Sequence, residues 1–418
     1  MERRAIRERT ILHCDLNNYY ASVEERHNPS LRAGPLAVCG READRHGIVL
    51  AKNQPAKQAG VQTGEAIWEA LLKCPDLKIV QPHYDLYLYY SEQIRGLYQR
   101  YTDQVEPYGI DECWLDVSGS AGLFGDGEMI ADKIRREVRR RFGLTISVGV
   151  SFNKIFAKLG SDLKKPDAVS VISSERYRQI AWPLPAGELL GVGRATCRSL
   201  AEVGIRTIGE LAAAEPEFLQ LRFGLNGLKL WRHANGLDQS EVAVYNTRPV
   251  VKSIGHGVTC NADLVNEFEV WQVICELTES VSTRLRGHKL VASVVRIGVR
   301  DCLLGYREFQ CSLEEPTQSS RAISRQAMNL FRRRYFWDVP VRAVTVRVSQ
   351  LTPDGQPRQL SLFISPDERE KIERLELTIE EVRHRYGPLA LRRCVVLNGL
   401  KMTPRNIEEM MVLPGSVR

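Results

Sequence analysis

The sequence predicts an α+β protein of several domains. Within the first 150 residues, two-residue alternation of apolar and polar side chains recurs beside three- and four-residue spacing, so strands and helices share one mixed unit. Around residue 187 the pattern changes to short helices punctuated by glycine, and beyond residue 250 strand-like segments return. At 418 residues the chain is also too long for one ordinary domain and has room for roughly three to five compact units.

Ile11-Leu12-His13-Cys14-Asp15-Leu16 is a short apolar run holding one acid, and residues 19–25 then read as a helix, so the chain opens as strand, turn and helix. Ile48 and Leu50 alternate onto one face of a strand leading to Asn53. Between residues 105 and 117 apolar positions alternate around Asp111, Glu112 and Asp116, as in a strand or hairpin with one buried face, which sets the acids mid-strand. A basic amphipathic helix over Gly127–Phe142 and a strand over 144–150 complete this unit. Residues 187–215 form a separate small helical domain, with Gly191-Val192-Gly193 ahead of one helix and Gly204-Ile205 ahead of the next.

Residues 237–250 are polar, contain Pro249 and read as a tether. After it, 290–300 and 341–350 are strand-like beside helical stretches, which predicts a small α+β domain. In that domain Arg296 and Arg300 share one strand face, as do Thr345 and Arg347 on another strand, while Val344, Val346 and Val348 point inward. Residues 352–358 are a Pro/Gly-rich linker. Ser365, Pro366 and Glu368 then supply an N-cap, a first-turn proline and a capping-box acid, so a helix starts there. Its apolar face is Ile372, Leu375, Ile379, Val382 and Tyr386, and Gly387-Pro388 stops it.

Composition narrows the function classes. With 43% hydrophobic and 26% charged residues, and no apolar run near the ~20 residues that span a bilayer, the chain does not read as a membrane protein. Met1-Glu2-Arg3-Arg4 is followed by Glu8 and Arg9 rather than by an apolar stretch, so no secretory leader is expected and a cytoplasmic location is. Ten cysteines without a Cys-x-x-Cys pair argue against a zinc site and a disulfide framework. Lys and Arg exceed Asp and Glu by 58 to 51, and residues 247–350 hold 15 basic against 10 acidic side chains. The surplus suits a polyanion and also suits an ordinary solvated sheet face.

Asp15 at the end of an apolar strand, and Asp111 beside Glu112 in another, are costly to bury unless cations neutralise them. Carboxylates are the hard ligands Mg²⁺ prefers, and two such ions can clamp the attacking and leaving oxygens of an in-line phosphoryl displacement. An adjacent Asp-Glu pair can equally be a solvated hairpin edge. On a regular strand the two would face opposite ways, and a twist or the longer Glu112 arm would be needed to join them.

The words around these acids separate the readings. Cys14-Asp15-Leu16-Asn17-Asn18-Tyr19-Tyr20-Ala21-Ser22-Val23-Glu24, then Gly109-Ile110-Asp111-Glu112-Cys113-Trp114-Leu115-Asp116, then Ser151-Phe152-Asn153-Lys154-Ile155-Phe156-Ala157-Lys158 strongly resemble the Y-family translesion DNA polymerases in order and spacing. The likeness runs from about residue 10 to 350 and is closest to the polymerase IV branch, with features of the polymerase V catalytic subunit. It implies a right-hand polymerase with a ferredoxin-like palm (10–31 and 83–172), small fingers (32–82), a helix-hairpin-helix thumb (173–240), a little-finger domain (247–350) and a tail (351–418). It further implies template-directed, low-fidelity lesion bypass by two Mg²⁺ ions held by Asp15, Asp111, Glu112 and the Leu16 carbonyl.

The resemblance carries over other residues. Tyr20 matches the steric gate that excludes a ribose 2′-OH, and Asn18, Tyr19, Lys57 and Lys165 match positions at the incoming dNTP. Three positions depart from the common pattern: Asn17 replaces a second acid, and Gln54 and Lys57 replace a Tyr and an Arg at the triphosphate. Lys57 keeps the charge but loses the guanidinium fork. Leu50 is bulkier than the small residue expected over the templating base pair.

Gly191, Gly193 and Arg194 resemble a phosphate-binding helix-hairpin-helix turn on primer-template DNA, with Phe223-Gly224-Leu225-Asn226-Gly227 as its second copy. Arg296, Arg300 and Arg347 match the DNA-gripping face of the little finger. Gln359, Leu360, Ser361, Leu362 and Phe363 resemble the pentapeptide that binds the bacterial sliding clamp. The expected assembly is a monomer engaging DNA, dNTP and clamp, away from any membrane. A catalytically inactive polymerase-like scaffold would lack the acids, and another two-metal nucleotidyl enzyme on a palm fold, such as a nucleotide cyclase, would not need the hairpins or the basic domain.

Overall fold

The computed structural model describes residues 8–41, 47–247, 250–356 and 366–402. The chain divides into two units, one built on Met1–Val38 with Val49–Arg248 and one on Pro249–Val412.

The first unit opens with β1 (Ile11–Leu16) and α1 (Tyr19–His27), followed by β2 (Leu36–Cys39), β3 (Val49–Lys52), α2 (Gln54–Gln58), α3 (Ile67–Lys73), β4 (Lys78–Val80) and α4 (Tyr84–Tyr98). Next come β5 (Val105–Pro107), β6 (Glu112–Asp116), α5 (Ala121–Phe124), α6 (Gly127–Phe142), β7 (Ile146–Ser151), α7 (Lys154–Leu163), β8 (Val169–Ile172) and α8 (Tyr177–Ala181). Three further helices end it: α9 (Arg194–Glu202), α10 (Ile208–Ala213) and α11 (Pro216–Ala234). Strands order as β5-β6-β1-β7-β8 in a mixed five-stranded sheet, and β3-β2-β4 form a small sheet of their own.

Alternation along β1 sorts its side chains between two layers. Leu12, Cys14 and Leu16 enter a core with Ile94 and Leu97 of α4 and Ile130 and Ile134 of α6. Ile11 packs on the opposite face with Trp114 and Ala157, and by the same period His13 and Asp15 point that way. Helix α7 covers this second face closely because the sheet there has no side chain in its path: a Cβ at Gly149 would lie 1.9 Å from the Ala157 carbonyl oxygen. Asn153 starts α7 by accepting from the Phe156 N–H at 2.9 Å.

The hairpin expected at 105–117 is present, with Val105 opposite Leu115, but the acids do not sit mid-strand. Glu112 is the first residue of β6 and Asp111 precedes it in a bend. The two therefore escape strict alternation, and the Asp111 carbonyl accepts from the Leu16 N–H at 3.1 Å. Residues 241–244 of the tether carry no regular structure, yet they are tied to the sheet edge: Tyr245 N–H donates to Asp103 O and Ala243 N–H to Glu106.

The second unit is a four-stranded antiparallel sheet, β11-β10-β12-β9, formed by β9 (Ser253–Leu264), β10 (Leu290–Asp301), β11 (Tyr306–Thr317) and β12 (Val341–Pro353). Helices α12 (Glu267–Gly287) and α13 (Ser320–Arg334) bury Val344, Val346 and Val348 in a shared core with Val270, Ile274 and Phe331. β12 reaches Pro353, so the first two residues of the expected linker are strand. The tail helix α14 runs Pro366–Tyr386, as its apolar spacing predicted. Glu376 docks it, accepting from Ser319 Oγ at 2.8 Å and from the Ser320 and Arg321 N–H groups, so it caps the positive end of α13. Ser365 and the pentapeptide 359–363 lie outside the described residues. All ten cysteines are free, six of them buried, as expected for packing residues.

Candidate active site

Three elements converge on the carboxylates. Strand pairing places Asp15 directly opposite Glu112 on one side and Ser147 on the other, and α7 lays Lys158 over them. The Lys158 ammonium lies 3.0 Å from Asp15 Oδ2 and 2.9 Å from Glu112 Oε1, with Asp162 Oδ2 at 3.3 Å. Lys165 reaches the same Asp15 oxygen at 3.0 Å and Asp162 at 2.7 Å. Asp15 and Glu112 thus stand within two hydrogen-bond lengths of each other, bridged by one ammonium.

The charges are not balanced around all three acids. Burial, then the charges of Asp15 and Glu112, push the Asp111 carboxyl up to about 6. Burial alone would raise Glu112 too, but the facing His13 and the Lys158 charge bring it down to about 2. Burial disfavours charge on Lys158, yet Asp15, Glu112 and Asp162 outweigh it and hold the ammonium well above its ordinary value. His13 is fully buried, and burial lowers its imidazole below the usual value.

These residues suit a divalent metal. The oxygen donors are hard and anionic, and Asp111 retains a need for positive charge that Lys158 meets only in part. Among the described residues no three carboxylate, imidazole or thiol groups close into a metal cage, and the Lys158 ammonium lies between Asp15 and Glu112.

The aromatic wall beside the acids comes from α1 and α4. Tyr20 is half-buried and stacks on Tyr87 with ring centroids 4.2 Å apart and planes 10° from parallel. The Tyr87 hydroxyl donates to Glu24, which fixes the supporting ring. Tyr19 is buried in the core and its hydroxyl donates to the Tyr87 carbonyl, so its ring is taken up by packing. Asn18 precedes α1 in a left-handed conformation, φ 49°.

Asn17, the departure from a second acid, is buried and fully engaged. Its amide donates to Ser147 Oγ at 3.0 Å and accepts from the Asp167 N–H at 2.9 Å, tying β7 to the loop that carries Lys165. Lys57 is exposed on α2, whose start is capped by Asn53. Ile48 is exposed and Leu50 half-buried, while Val49 between them is buried, as alternation requires.

The remaining expected contacts fall elsewhere. Gly191 takes φ +98°, a turn that favours glycine, and Gly193 starts α9 without a side-chain cap, leaving exposed N–H groups beside exposed Arg194. Gly224, φ 65° and ψ −153°, breaks α11 into the second hairpin. In the second unit Arg296 pairs across the sheet with Arg347, and Arg300 follows on the same outward face. Arg296 also meets Glu308 at 3.4 Å, and Arg300 lies over the Tyr306 ring.

Sequence reasoning missed His13 and gave Lys158 no role. A faint signal existed: His13 shares the Asp15 face by alternation, and Gly149 beside Gly160 marks where a helix approaches the sheet. No helix among the described residues is long and apolar enough to cross a membrane.

Residues 14–162 match the impB/mucB/samB family and residues 251–362 the C-terminal domain of that family. The chain is 46% identical to DNA polymerase IV of Acetivibrio thermocellus over 93% of its own length and 98% of that protein. It is 36% identical to DNA polymerase IV of Moorella thermoacetica (93% and 96% covered) and 36% to DNA polymerase IV 2 of Bacillus subtilis (94% and 95%). A solved Y-family DNA polymerase chimera shares the fold with a TM-score of 0.72 at 24% identity, covering 82% of this chain and all of that one. The chain therefore belongs to the impB/mucB/samB family, the Y-family translesion DNA polymerases, and within it to the DNA polymerase IV type.

Proposed function

We infer that Asp15, Asp111, Glu112 and the Leu16 carbonyl hold two Mg²⁺ ions at which this lesion-bypass DNA polymerase adds a dNMP to a primer 3′-OH. The observation that carries the reading is the carboxylate trio, buried at Asp15 and half-buried at Asp111 and Glu112, with Lys158 bridging Asp15 and Glu112 and Asp111 still short of positive charge. When bound, the two ions stabilise the attacking and leaving oxygens of the in-line displacement. The chain's own groups do the rest. Lys165 and Lys57 offer ammonium groups to the triphosphate, Asn18 and the Tyr19 backbone line it, and Tyr20 lies under the sugar, backed by Tyr87.

Tyr20→Ala should raise ribonucleotide insertion relative to deoxynucleotide insertion by at least ~100-fold, because a packed ring excludes the 2′-OH by volume alone. Single-nucleotide insertion with matched rNTP and dNTP measures the ratio. An unchanged ratio would remove Tyr20 from the sugar site.

The same reading assigns palm (10–31 and 83–172), fingers (32–82), thumb (173–240), little finger (247–350) and tail (351–418). Gly191, Gly193 and Arg194 contact DNA phosphates, and Arg296, Arg300 and Arg347 grip the duplex without reading sequence, so binding weakens as salt rises. We assign a cytoplasmic monomer that meets the sliding clamp through Gln359–Phe363. Leu362→Ala with Phe363→Ala should weaken clamp binding at least ~100-fold, since two apolar anchors carry such interfaces. Primer extension without clamp should stay at the wild-type rate, and clamp binding at wild-type affinity would reject the assignment.

A further inference from the structure

Asn17 is the first residue after β1, and its backbone is tied on both sides. The Asn17 N–H donates to the Thr145 carbonyl at 2.9 Å, and the Asn17 carbonyl accepts from Ser22 Oγ at 2.8 Å. From this fixed point the buried side chain reaches the loop that joins α7 to β8. A backbone N–H can only donate, so the Asn17 atom 2.9 Å from the Asp167 nitrogen is the amide oxygen. The amide nitrogen is then left to donate to Ser147 Oγ at 3.0 Å, on β7.

Asp167 is held just as firmly from its other sides. It takes φ 55°, in the left-handed region that a residue with a side chain seldom occupies unless its surroundings impose it. Its carboxylate meets Arg135 at 2.9 Å and Arg139 at 3.0 Å, both on α6, and the carbonyl of Ala168 accepts from the Val148 N–H at 2.8 Å. The arginines fix the Asp167 side chain and Asn17 fixes its backbone N–H. The path of the chain two residues upstream is thereby set, and there Lys165 places its ammonium 3.0 Å from Asp15 Oδ2 and 2.7 Å from Asp162 Oδ1.

We propose that Asn17 is a positioning residue for the incoming nucleotide: its amide oxygen anchors the loop at Asp167, so that Lys165 meets the triphosphate from a chain already in place. A cation held on an ordered loop gives up less conformational freedom when its ligand binds, and affinity rises accordingly. The contact needs an acceptor oxygen at position 17 rather than an amide. A carboxylate there would serve too, with Ser147 turning its hydroxyl to donate, so the departure to Asn keeps the anchor and drops a negative charge beside Asp15. The proposal rests on Lys165 facing the triphosphate.

The test is binding of the correct dNTP to the full-length chain on a dideoxy-terminated primer-template in Mg²⁺, read by the fluorescence of a 2-aminopurine template base. Asn17→Ala should weaken dNTP binding about 10-fold, the scale of one hydrogen bond to a charged group. Insertion on an extendable primer should show the same rise in the dNTP needed for half-maximal rate, while the rate at saturating dNTP falls far less. Asn17→Asp, which keeps the acceptor, should recover most of the loss. Lys165→Ala should weaken binding as much, and adding Asn17→Ala to it should cost nothing more. If Asn17→Ala does not fold, Asn17→Ser decides, because its shorter side chain stays polar but stops short of the Asp167 N–H, and the same loss is expected. Affinity within about twofold of wild type in Asn17→Ala or its stand-in, an equal loss in Asn17→Asp, or full additivity with Lys165→Ala overturns the proposal. Lys165→Ala also separates the two readings. Wild-type affinity there removes Lys165 from the triphosphate and Asn17's role with it, whereas weakened binding there with intact binding by Asn17→Ala rejects the Asn17 proposal alone.

Discussion

Replacing Asp111 or Glu112 by Ala should lower single-nucleotide insertion at least ~10³-fold while leaving primer-template affinity within a few fold of wild type. The magnitude follows from the chemistry assigned to the pair: a metal clamp on the reacting oxygens is worth several kcal/mol, and each 1.36 kcal/mol is tenfold in rate. DNA binding should survive because both variants remove negative charge and leave the thumb turns and the arginine face untouched. The two variants should differ in the metal-free state. Glu112→Ala strips Lys158 of one of its bridging oxygens, whereas Asp111 makes no ion pair with either lysine. Rapid-quench insertion assays and fluorescence anisotropy on labelled primer-template measure the two quantities. Extension by both variants at the wild-type rate would overturn the two-metal assignment.

The acids were legible because they sit in long motifs, and the structure sets Asp15 on the face of β1 that it shares with Ile11 and His13. What covers that face was not legible. Lys158 reaches Asp15 only because Gly149 lets α7 settle onto β7, a close approach that depends on pairing between segments far apart in sequence. The mid-strand placement of Asp111 failed for a related reason: periodicity carries no mark for the bend that ends at Glu112. In the second unit, 290–300 and 341–350 were readable as strands because valine dominates their inward positions. Ser253–Leu264 and Tyr306–Thr317 were not, since glycine and polar residues fill much of the former and charged residues the outward face of the latter. The start and stop of α14 were written in Pro366 and Gly387-Pro388, but its docking through Glu376 onto α13 is a tertiary contact with no local signature.

Asp111→Asn should make the metal-free protein more stable at neutral pH even as it removes activity. An unfolded Asp ionises near pH 3.9, whereas burial with Asp15 and Glu112 raises the folded Asp111 carboxyl to about 6. The folded state therefore binds this proton more tightly than the unfolded state does. The stability it contributes is fully present below about pH 4 and is lost as pH rises through about 6. At pH 7.5 the ionised carboxylate then costs on the order of 3 kcal/mol, which the neutral amide avoids. In EDTA the Asn variant should melt a few degrees above wild type at pH 7.5, and the gap should close toward pH 4.5. Saturating Mg²⁺ with primer-template and dNTP should reverse the order, because ligands that bind only the folded wild type stabilise it by mass action. No gap at pH 7.5, or one that persists unchanged at pH 4.5, would mean that Asp111 carries no such strain. A gap that opens between those limits identifies the burial of the Asp111 carboxyl, together with the charges of Asp15 and Glu112, as the stability given up to keep a cation site ready.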